Sequence, residues 1–463
     1  MEIRRFYLAC LAHASYLVYD GGEAAVIDPQ RDIGLYLEEA AALGVRIRWV
    51  IETHLHADFI SGHTELAARS GATICIGAEA GATFPHRDLR DGDELELGAA
   101  KLRVMETPGH TLESICVVAM ENAQPVAAFT GDTLFIGDVG RPDLSPTKTP
   151  QELAAMLFDS LHQKVLTLPD ETVVYPAHGA GSLCGRQMSS EANSTIGRER
   201  KLNYALQPKD RDEFVHLLTA EMPPRPGYFQ DEVARNREGA PALDALTPLR
   251  QMTPNEVQAA QEDGATVLDT RTAGEFGAAH VPGAVHIGLR GQFASWAARL
   301  LGLDRKIVLV AEEDAALDEA RMRLARVGIE HVIGSLAGGM LAWADAGLQP
   351  NEITQVPVRD AAREIAHPAV TLLDVREGNE RETRGAVVGA QWIPLGSLQS
   401  RLAELDSEKT LLVMCQGGYR SSIAASLLAG HGFPHVGNVV GGFDAWAIAF
   451  PEVAKAPACT AAR

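Results

Sequence analysis

Six side chains that could bind a metal ion follow predicted strand ends in the first 180 residues. Three of them stand at alternate positions of one short stretch, so their side chains can converge on a single ion. The other three come one at a time, in the stretches Thr-Pro-Gly-His-Thr, Phe-Thr-Gly-Asp-Thr and Tyr-Pro-Ala-His. In chain order the six candidates are His54, His56, Asp58, His110, Asp132 and His178. One such histidine alone would be interpreted as a hydrogen-bonded loop residue, but the ordered motifs together predict a metal site.

A single cysteine near the carboxyl end of the chain is the second candidate for chemistry. Cys415 follows a strand predicted over 411–414 and begins the stretch Cys-Gln-Gly-Gly-Tyr-Arg-Ser-Ser. A thiolate between a strand end and a helix N-terminus is stabilised by the helix dipole and by exposed backbone N–H groups. Gly417 and Gly418 let the backbone curl around the sulfur, and Arg420 adds a fixed positive charge that suits an anionic substrate. The stretch therefore predicts that Cys415 is a nucleophile.

The chain before residue 253 is predicted to contain one α/β domain and a linker. β-rich runs at 48–53, 115–119 and 172–175 alternate with helical stretches up to about residue 205. From about residue 207 to 253 the chain is rich in proline and mixed in charge, and regular periodicity fades. We interpret this second segment as a linker that wraps around the first domain or tethers it to the next one.

An internal repeat follows the linker. Residues 268–271 (Leu-Asp-Thr-Arg) match residues 373–376 (Leu-Asp-Val-Arg), and the Gly-Gly stretch at 338–343 matches the one at 441–446. Two copies of one α/β unit are therefore predicted. In the second copy the strand before the cysteine is followed by a helix predicted over 423–429.

The first copy of the repeat lacks the reactive groups of the second. Ungapped alignment of the two copies places Ala311 opposite Cys415 and Ala316 opposite Arg420, with acidic residues at 312–314 between them. Because the sequence features that support the fold are retained, this copy should fold but be catalytically dead. Scaffold, spacer and docking surface are the roles that remain open for it.

Composition restricts the partners and the compartment. The 463 residues carry 41 basic and 61 acidic side chains, and the net charge of -20 would repel nucleic acid phosphates and anionic lipid surfaces. No apolar run reaches the roughly 18 to 20 residues of a membrane span, and the residues before the first predicted strand contain neither a long apolar stretch nor a small-residue cleavage site. The six cysteines contain no C-x-x-C pair, so reduced thiols and a cytoplasmic location are expected.

Two family resemblances rest on these motifs. The histidine and aspartate motifs resemble the metallo-β-lactamase superfamily, and the Cys415 stretch resembles the active loop of rhodaneses. With the stretches at 179–185 and 194–197, the whole chain resembles bacterial fusions of a persulfide dioxygenase with rhodanese domains. The resemblance implies an α/β fold, a metallo-β-lactamase αββα sandwich followed by two rhodanese-like α/β domains. The implied parts are the sandwich (1–206), a linker (207–253), a degenerate rhodanese-like domain without the catalytic cysteine (254–350) and an active rhodanese domain (355–455).

The resemblance also implies the kind of metal. Dizinc hydrolases of the superfamily, such as glyoxalase II, carry a second histidine directly after the aspartate, where this chain has Phe59. A phenyl ring cannot bind a metal ion. His54, His110 and Asp132 then form a set of two histidines and one carboxylate, which is typical of non-heme iron(II) oxygenases and implies one Fe(II) per chain. The remaining candidates would orient these ligands or be left from a lost second metal site, and they are His56, Asp58 and His178.

The implied reaction is the oxidation of a low-molecular-weight thiol persulfide, such as glutathione persulfide, by O₂ to sulfite and thiol. Arg141 corresponds to an arginine that helps such enzymes bind the carboxylate of the thiol, so it is the substrate-binding candidate. A persulfide on Cys415, in a cradle lined by Gly417 and Gly418, would exchange sulfur with thiosulfate and sulfite. The expected role is sulfide metabolism or detoxification by a homo-oligomer, with neither nucleic acid nor membrane as partner.

Two other classes of function stay open at this point. The first is a glyoxalase II-like dizinc thioester hydrolase with accessory rhodanese domains, which would use all six metal-ligand candidates. The second is a noncatalytic sulfur carrier in which Cys415 only stores sulfur. Cys184, in a glycine-rich loop after the last histidine, either relays or senses persulfide sulfur or is a loop thiol without a catalytic role.

Overall fold

The computed structural model of the chain describes residues 1–208, 210–220, 222, 224–246 and 248–452. The last three residues of the predicted range 355–455 therefore lie outside the described residues. The described chain divides into two units. The first contains Met1–Leu246 and the short stretch Leu324–Gly328, and the second contains the remaining described residues.

Two six-stranded sheets form the centre of the first unit. The first sheet consists of β1 (Glu2–Leu8), β2 (His13–Asp20), β3 (Glu23–Ile27), β4 (Arg46–Glu52), β5 (Thr73–Gly77) and β6 (Arg87–Leu89), in that spatial order. The second sheet consists of β7 (Glu94–Leu97), β8 (Ala100–Glu106), β9 (Ile115–Glu121), β10 (Gln124–Gly131), β11 (Val173–Pro176) and β12 (Ser194–Thr195). Strands β3 to β6 are parallel, whereas β7 to β10 are antiparallel.

The inner faces of these two sheets pack against each other. Along β8, buried Leu102 and Val104 alternate with exposed Lys101 and Arg103, as expected for a strand with one face toward a core. The same hydrophobic cluster contains residues of both sheets, among them Val18 of β2. The core of the first unit therefore lies between the sheets.

Helices cover the outer faces of the two sheets. They are α1 (Gly34–Leu43), α2 (His63–Ser70), α3 (Pro150–Gln163), α4 (Ile196–Leu202), α5 (Arg211–Thr219) and α6 (Phe229–Glu238). Residues of α1 and α2 pack on the first sheet, and residues of α3 and α5 pack on the second. Helix α3 begins with a capping box, in which Thr149 and Glu152 each bond the other's backbone N–H. The layers are the αββα sandwich that the sequence predicts.

The segment predicted to be a linker contains α5 and α6. Phe214 and Leu218 of α5 are buried in the cluster that includes the helix α3. Asn236 of α6 donates hydrogen bonds to the carbonyl oxygens of His56 and Phe59, at 2.8 Å each. Much of this segment thus belongs to the first unit and reaches the loop with the first three metal-ligand candidates. The boundaries given above stay predictions.

The second unit contains the two copies of the repeat. The middle copy has a parallel sheet of β13 (Gln251–Met252), β14 (Thr266–Asp269), β15 (Val285–His286), β16 (Ile307–Val310) and β17 (Val332–Leu336), with helices α7 (Pro254–Glu262), α8 (Ala273–Ala278), α9 (Phe293–Leu301), α10 (Asp314–Arg326) and α11 (Gly339–Asp345). The last copy has β18 (Thr354–Pro357), β19 (Val370–Asp374), β20 (Gln391–Trp392), β21 (Thr410–Met414) and β22 (Val436–Val440), with α12 (Val358–Glu364), α13 (Gly378–Arg384), α14 (Tyr419–Gly430) and α15 (Gly442–Ala449).

The two sheets of the second unit have the same topology. Their strand orders are β13-β17-β16-β14-β15 and β18-β22-β21-β19-β20, and the paired strands are parallel in both. The central strands β16 and β21 are short apolar runs that are largely buried, as expected for a parallel sheet covered on both faces. None of the helices in the described part of the chain combines the length and apolar character that crossing a membrane requires.

Candidate metal centre and sulfur-transfer loop

The six metal-ligand candidates lie in four loops, each at the carboxyl end of a strand of the first unit. The loop after β4 carries three of them, and the loops after β8, β10 and β11 carry one each. The structure brings them into two groups, in each of which the potential ligand atoms lie within 4.8 Å of one another. The first group is His54, His110 and Asp132, and the second is His56, Asp58 and His178.

Hydrogen bonds orient the two histidines of the first group. His110 Nδ1 lies 2.9 Å from the carbonyl oxygen of Arg141, which only accepts, so the proton is on Nδ1. His54 Nδ1 lies 3.0 Å from the hydroxyl of Thr53, which itself donates to Asp28 and so accepts from the imidazole. In both neutral rings the lone pair is therefore on Nε2. These Nε2 atoms lie 3.3 Å (His110) and 3.8 Å (His54) from Asp132 Oδ2.

This first group fits a metal ion. His110 Nε2 and both carboxylate oxygens of Asp132 are buried and have no hydrogen-bond partner among the described residues. Buried polar atoms without partners are costly, and a cation held by these atoms removes that cost. Burial also lowers the pKa of His54 and His110, which keeps both imidazoles in the neutral form that binds metals.

The second group is arranged differently. His178 Nε2 lies 3.5 Å from Asp58 Oδ1 and 3.7 Å from an oxygen of Asp132. His56 Nε2 instead lies 3.2 Å from Asp28 and 3.3 Å from Glu52. Burial alone would lower the pKa of His56, but these two carboxylates raise it well above its usual value. His56 therefore faces these two acids, whereas His178 faces Asp58 and Asp132.

Phe59 occupies the position of the missing histidine. Its buried ring has its centroid 4.4 Å from that of His56 and 4.1 Å from that of His13. The side chain therefore fills this side of the centre with hydrocarbon. His13 lies at the start of β2, where it forms an isolated β-bridge with His178.

Several residues of the centre are not among the sequence candidates. Asp28, Glu52 and His13 are buried and surround the loop after β4. Their only sequence signal is a charged or polar side chain next to an apolar strand. Cys184, whose role the sequence leaves open, is fully buried and has its sulfur in one group with Asp132 and His178. Burial raises the pKa of this thiol well above its usual value, and the nearby carboxylates raise it further.

The loop after β21 surrounds the sulfur of Cys415 with hydrogen-bond donors. The backbone N–H of Gly418 donates to Sγ at 3.1 Å, and the hydroxyl of Ser421 lies 3.4 Å from it. Gly418 has φ +99°, a left-handed conformation that glycine adopts readily, and the chain enters α14 directly after it. The helix therefore begins at Tyr419 and not at residue 423 as predicted, because Gly418 caps it. Its first turn is thus adjacent to the sulfur.

Arg420 is paired with an acid that sequence reasoning missed. Its two Nη atoms each lie 2.6 Å from an oxygen of Glu380, which lies in the first turn of α13. Partial burial raises the pKa of Glu380, but the hydrogen bonds and charge of Arg420 lower it more, so the net shift is downward. The signal for Glu380 in the sequence is the pair of glutamates three residues apart, Glu377 and Glu380, which form a capping box.

Comparisons with known proteins agree with this architecture. Residues 8–178 match the metallo-beta-lactamase superfamily, and residues 253–346 and 358–449 match the rhodanese-like domain. A probable metallo-hydrolase of Burkholderia pseudomallei (strain 1710b) is 34% identical over 259 residues, which cover 48% of this chain and 86% of that protein. The chain belongs to the metallo-β-lactamase superfamily. It joins a domain of that superfamily to two rhodanese-like domains.

Relatives within the metallo-β-lactamase superfamily have more than one activity in their names. The mitochondrial persulfide dioxygenase ETHE1 of Bos taurus is 33% identical over 230 residues, covering 48% of this chain and 82% of that protein. Hydroxyacylglutathione hydrolase of Acidiphilium cryptum (strain JF-5) is 33% identical over 224 residues, covering 48% of this chain and 83% of that protein. A solved metallo-beta-lactamase structure from Staphylococcus aureus subsp. aureus COL is 28% identical, covers 73% of this chain and 98% of that chain, and has a TM-score of 0.65.

Arg141, the predicted substrate-binding residue of the metallo-β-lactamase domain, has its guanidinium engaged within the protein. Nε and Nη2 donate to the carboxylate of Asp143 at 2.6 and 2.8 Å, and Nη1 donates to the carbonyl oxygen of Leu183 at 3.2 Å. The side chain is 8% exposed. Arg141 therefore supports its own loop, which also accepts the hydrogen bond from His110.

A cavity of about 380 Å³ lies in the metallo-β-lactamase domain. Its lining includes Ala57 and Thr111, which are sequence neighbours of candidate metal ligands, together with Arg225 and Arg237. Both arginines come from the segment that the sequence analysis interprets as a linker, so no sequence motif pointed to them. Arg225 donates to the carbonyl oxygen of Asp143 at 2.9 Å, and Arg237 donates to that of Ala80 at 3.2 Å.

The middle rhodanese-like copy has an acidic loop in the corresponding place. Asp269 pairs with Val310 in the register of β14 and β16, as Asp374 pairs with Met414 in the last copy. The residue after each strand is then Ala311 in one copy and Cys415 in the other. In the middle copy the corresponding acid, Glu275, lies near a second carboxyl group, that of Glu312, and raises the pKa of Glu312.

Proposed function

We propose that the metallo-β-lactamase domain oxidises a low-molecular-weight thiol persulfide with O₂, and that the last rhodanese-like domain transfers sulfur through a persulfide on Cys415. The observation that carries the first part is the group of His54, His110 and Asp132, with Phe59 filling the position of a second-metal ligand. The balanced reaction is RSSH + O₂ + H₂O → RSH + SO₃²⁻ + 2H⁺. Similarity to the persulfide dioxygenase of Bos taurus supports the same assignment.

The three residues of the first group would hold one Fe(II). They present two neutral imidazole nitrogens and one carboxylate from the same side, which leaves other coordination positions for ligands that the protein does not supply. When bound there, iron would supply the activation of O₂ that side chains cannot. His178 and Asp58 would hold substrate or water by hydrogen bonds on the side of Asp132, since their facing atoms have no partner among the described residues.

The cavity beside the ligand loops would hold the thiol part of the substrate. A carrier such as glutathione has carboxylates, and in a chain of net charge -20 such anions need local cations. Arg225 and Arg237 line the cavity and would bind them, each by N–H groups not used toward Asp143 or Ala80. Arg141 would act on the substrate through its loop. The predicted direct contact of Arg141 with a carboxylate stays a prediction.

The last domain would transfer sulfur by attack of the Cys415 thiolate on the outer sulfur of thiosulfate. The new S–S bond forms on Cys415 as the S–S bond of thiosulfate breaks, and sulfite leaves with the electron pair, so charge and atoms balance. Gly418 N–H and Ser421 would stabilise the sulfur, and Arg420, held by Glu380, would attract the dianion. In the reverse direction, sulfite from the first domain takes the outer sulfur and forms thiosulfate.

The test is metal analysis of anaerobically purified chain combined with O₂ uptake on addition of glutathione persulfide. About one iron per chain with uptake supports the proposal. His110→Ala should lose the metal and the uptake, whereas His86→Ala, which removes a histidine elsewhere in the same unit, should keep both. Phe59→His should add a second metal per chain by supplying the missing ligand. Iron-loaded protein without uptake would overturn the dioxygenase assignment.

The competing function is hydrolysis of a glutathione thioester at two zinc ions. Hydroxyacylglutathione hydrolase of Acidiphilium cryptum is 33% identical to this chain, the same identity as the persulfide dioxygenase of Bos taurus. Sequence identity therefore does not favour one function over the other. Phe59 argues against the hydrolase, because its buried ring fills the position of a second-metal ligand and cannot bind a metal ion. Two zinc ions per chain with thioester cleavage and no O₂ uptake would establish the hydrolase.

A further inference from the structure

The middle rhodanese-like copy contacts the catalytic loop of the last copy through Tyr419. Tyr419 is the fifth residue of the loop that begins at Cys415, and its hydroxyl donates to the carbonyl oxygen of Gly288 in the middle copy at 3.0 Å. The ring lies over a glycine stretch, since a methyl group added to Gly288 or Gly291 would lie 3.6 or 3.4 Å from it. The loop is therefore bound at one point to a domain that has no reactive cysteine of its own.

A second contact lies three residues further along α14. Ser422 Oγ is 2.8 Å from His286 Nδ1, and the backbone N–H of His286 donates to Ser426 Oγ at 3.0 Å. Tyr419, Ser422 and Ser426 are spaced by three and four residues, so they lie on one face of the helix. The residues between them have other partners: Arg420 binds Glu380, and Ser421 contacts the Cys415 sulfur.

The proton positions of this contact follow from its partners. His286 Nε2 lies 2.9 Å from the carbonyl oxygen of Arg271, which only accepts, so Nε2 carries the proton. Burial lowers the pKa of His286, so the ring is neutral and Nδ1 accepts from the Ser422 hydroxyl. His286 thus connects the backbone of Arg271 in the middle copy to Ser422 in the first turn of α14.

The last copy shows what His286 adds. Trp392 holds the same place in its sheet, opposite Asp374 as His286 is opposite Asp269. Its ring nitrogen donates to the carbonyl oxygen of Arg376 at 2.8 Å, which corresponds to the His286 bond. Indole has no second ring nitrogen, and Trp392 is 40% exposed. The bond from the ring to the catalytic helix is thus specific to the middle copy.

We propose that His286 and Tyr419 are positioning residues for sulfur transfer, through which the middle copy holds the first turn of α14 in place against the Cys415 sulfur. This inference rests on the proposed sulfur transfer by Cys415. The anchored face of the helix fixes where Gly418 N–H and Ser421 Oγ lie, and these groups contact Sγ. The middle copy, which has no cysteine of its own, would thus support sulfur transfer in the last copy.

The first experiment measures thiosulfate sulfurtransferase kinetics of the full chain with cyanide as acceptor. Tyr419→Phe removes one hydroxyl, and loss of one neutral hydrogen bond predicts a decrease in kcat of about fivefold. The KM for thiosulfate should change less than about twofold, because Arg420 keeps its own partner Glu380. Tyr19→Phe, which removes a hydroxyl bonded to Glu2 in the first unit, is the matched control and should leave both constants unchanged.

The second experiment separates the Ser422 contact from general support of the fold. His286→Leu removes both ring bonds, whereas His286→Asn keeps an acceptor near Ser422 and loses the bond to Arg271. We expect the asparagine variant to retain several times more kcat than the leucine variant. Equal kcat in both, or kcat within twofold of the parent in His286→Leu and Tyr419→Phe, would mean that the middle copy is only a spacer and would overturn the proposal.

A third readout does not depend on the proposed function. The pH at which iodoacetamide alkylates Cys415 at half its maximal rate reports on the donors around Sγ, and mass spectrometry distinguishes this thiol from the others. This pH should rise by about half a unit in Tyr419→Phe and His286→Leu, while Arg420 and Arg376 stay unchanged. If the parent chain has no sulfurtransferase activity but the two variants show this shift, the proposed function is refuted and the positioning role is kept. No shift would refute the positioning role.

Discussion

The two rhodanese-like copies share a framework and differ in a loop. In each copy an aspartate at the end of a buried strand binds an arginine two residues later, with Nη2 to Oδ2 distances of 2.6 Å for Asp269 and Arg271 and 2.8 Å for Asp374 and Arg376. Each copy also has a capping box at the start of the following helix. The loop after the central strand, by contrast, contains Cys415 in one copy and acids in the other. The framework of this fold therefore does not depend on which residues occupy the loop.

The charges around the two loops differ in the same way. In the last copy Glu380 binds the guanidinium of Arg420, and in the middle copy the corresponding Glu275 lies near another acid, Glu312. The first arrangement leaves a cation beside the sulfur. The second collects negative charge, which would repel thiosulfate or sulfite. The middle copy thus differs from the last copy in the charges around the loop as well as in the missing cysteine.

The largest expected effect is at the nucleophile. Cys415→Ser should abolish sulfur transfer completely, since a serine hydroxyl at neutral pH neither ionises nor forms a persulfide. O₂ uptake with a persulfide should stay within about twofold of the parent, because the candidate metal ligands lie in the other unit. Sulfurtransferase and O₂-electrode assays on the same preparation check both. Sulfur transfer by the variant would show that another thiol carries the reaction.

The reverse substitution tests the comparison from the other side. Ala311→Cys in a chain that also carries Cys415→Ser should not restore transfer, because Glu312 and Glu313 remain and Ala316 supplies no cation. Adding Ala316→Arg should still give little activity, because Glu312 and Glu313 keep the loop acidic. If Ala311→Cys alone restored sulfur transfer, the charges around the loop would not be what keeps the middle copy inactive.

The next largest effect is on stability, at the framework aspartates. Asp374→Asn should lower the free energy of unfolding of the second unit by about 3 to 5 kcal/mol, because it leaves the buried guanidinium of Arg376 without its carboxylate. Asp269→Asn should cost less, since Arg271 is 11% exposed and water can reach part of it. Urea unfolding followed by circular dichroism measures both. Asp360→Asn, which breaks an exposed pair with Arg363, is the control and should change stability by less than about 1 kcal/mol.

A smaller difference is expected between two equivalent glycines. A methyl group on Gly442 would lie 2.4 Å from the Cys415 carbonyl oxygen, whereas one on Gly339 would have no neighbour within 4 Å. Both have positive φ, +55° and +58°, so either alanine costs about 1 kcal/mol from backbone strain. Only Gly442→Ala should also displace the sulfur loop and lower kcat, by at least about tenfold. Equal kcat for the two variants would mean that the loop adapts to the added methyl group.

The smallest effect is on the pH dependence of stability. The pKa of Glu380 is lowered, mainly by Arg420 against the opposing effect of burial. Its ion pair therefore contributes stability above the unfolded pKa, near 4.5, and loses it as pH falls through the folded value. Glu380→Gln should thus reduce the loss of stability between pH 6 and pH 4, which urea unfolding at the two pH values measures.

Contiguous motifs allowed much of this molecule to be predicted from the sequence. Each metal-ligand candidate follows a strand within a few residues, so strand patterns and residue types together predicted the group around Asp132. The Cys415 loop was predicted for the same reason. The start of α14 was predicted four residues late, at residue 423. Glycines in the loop indicate an irregular backbone, whereas Gly418 caps the helix and the helix begins directly after it.

What could not be predicted depends on pairs that are distant in sequence. Glu380 is the partner of Arg420 only because α13 and α14 meet in the folded domain. The engagement of His56 by Asp28 and Glu52 likewise requires two strand ends to lie side by side. Arg141 is the opposite case, since its partner Asp143 is two residues away, yet nothing in the motif shows that the guanidinium turns back to it.

The hydrogen bonds that join the two ends of the metallo-β-lactamase domain determine when its metal centre can form during synthesis. Ala14 N–H donates to the carbonyl oxygen of Ala177 at 2.7 Å, and Gly179 N–H donates to that of Ala12 at 3.0 Å. A ribosome that adds about 5–20 residues per second needs roughly 10 to 35 s to reach this point. His54 and His56 are synthesised in about the first third of that time, and His178 is added only at its end. A metal ion that reached the nascent chain before then would meet a site without His178 and without these two hydrogen bonds, so the complete centre forms only after the chain has passed residue 179.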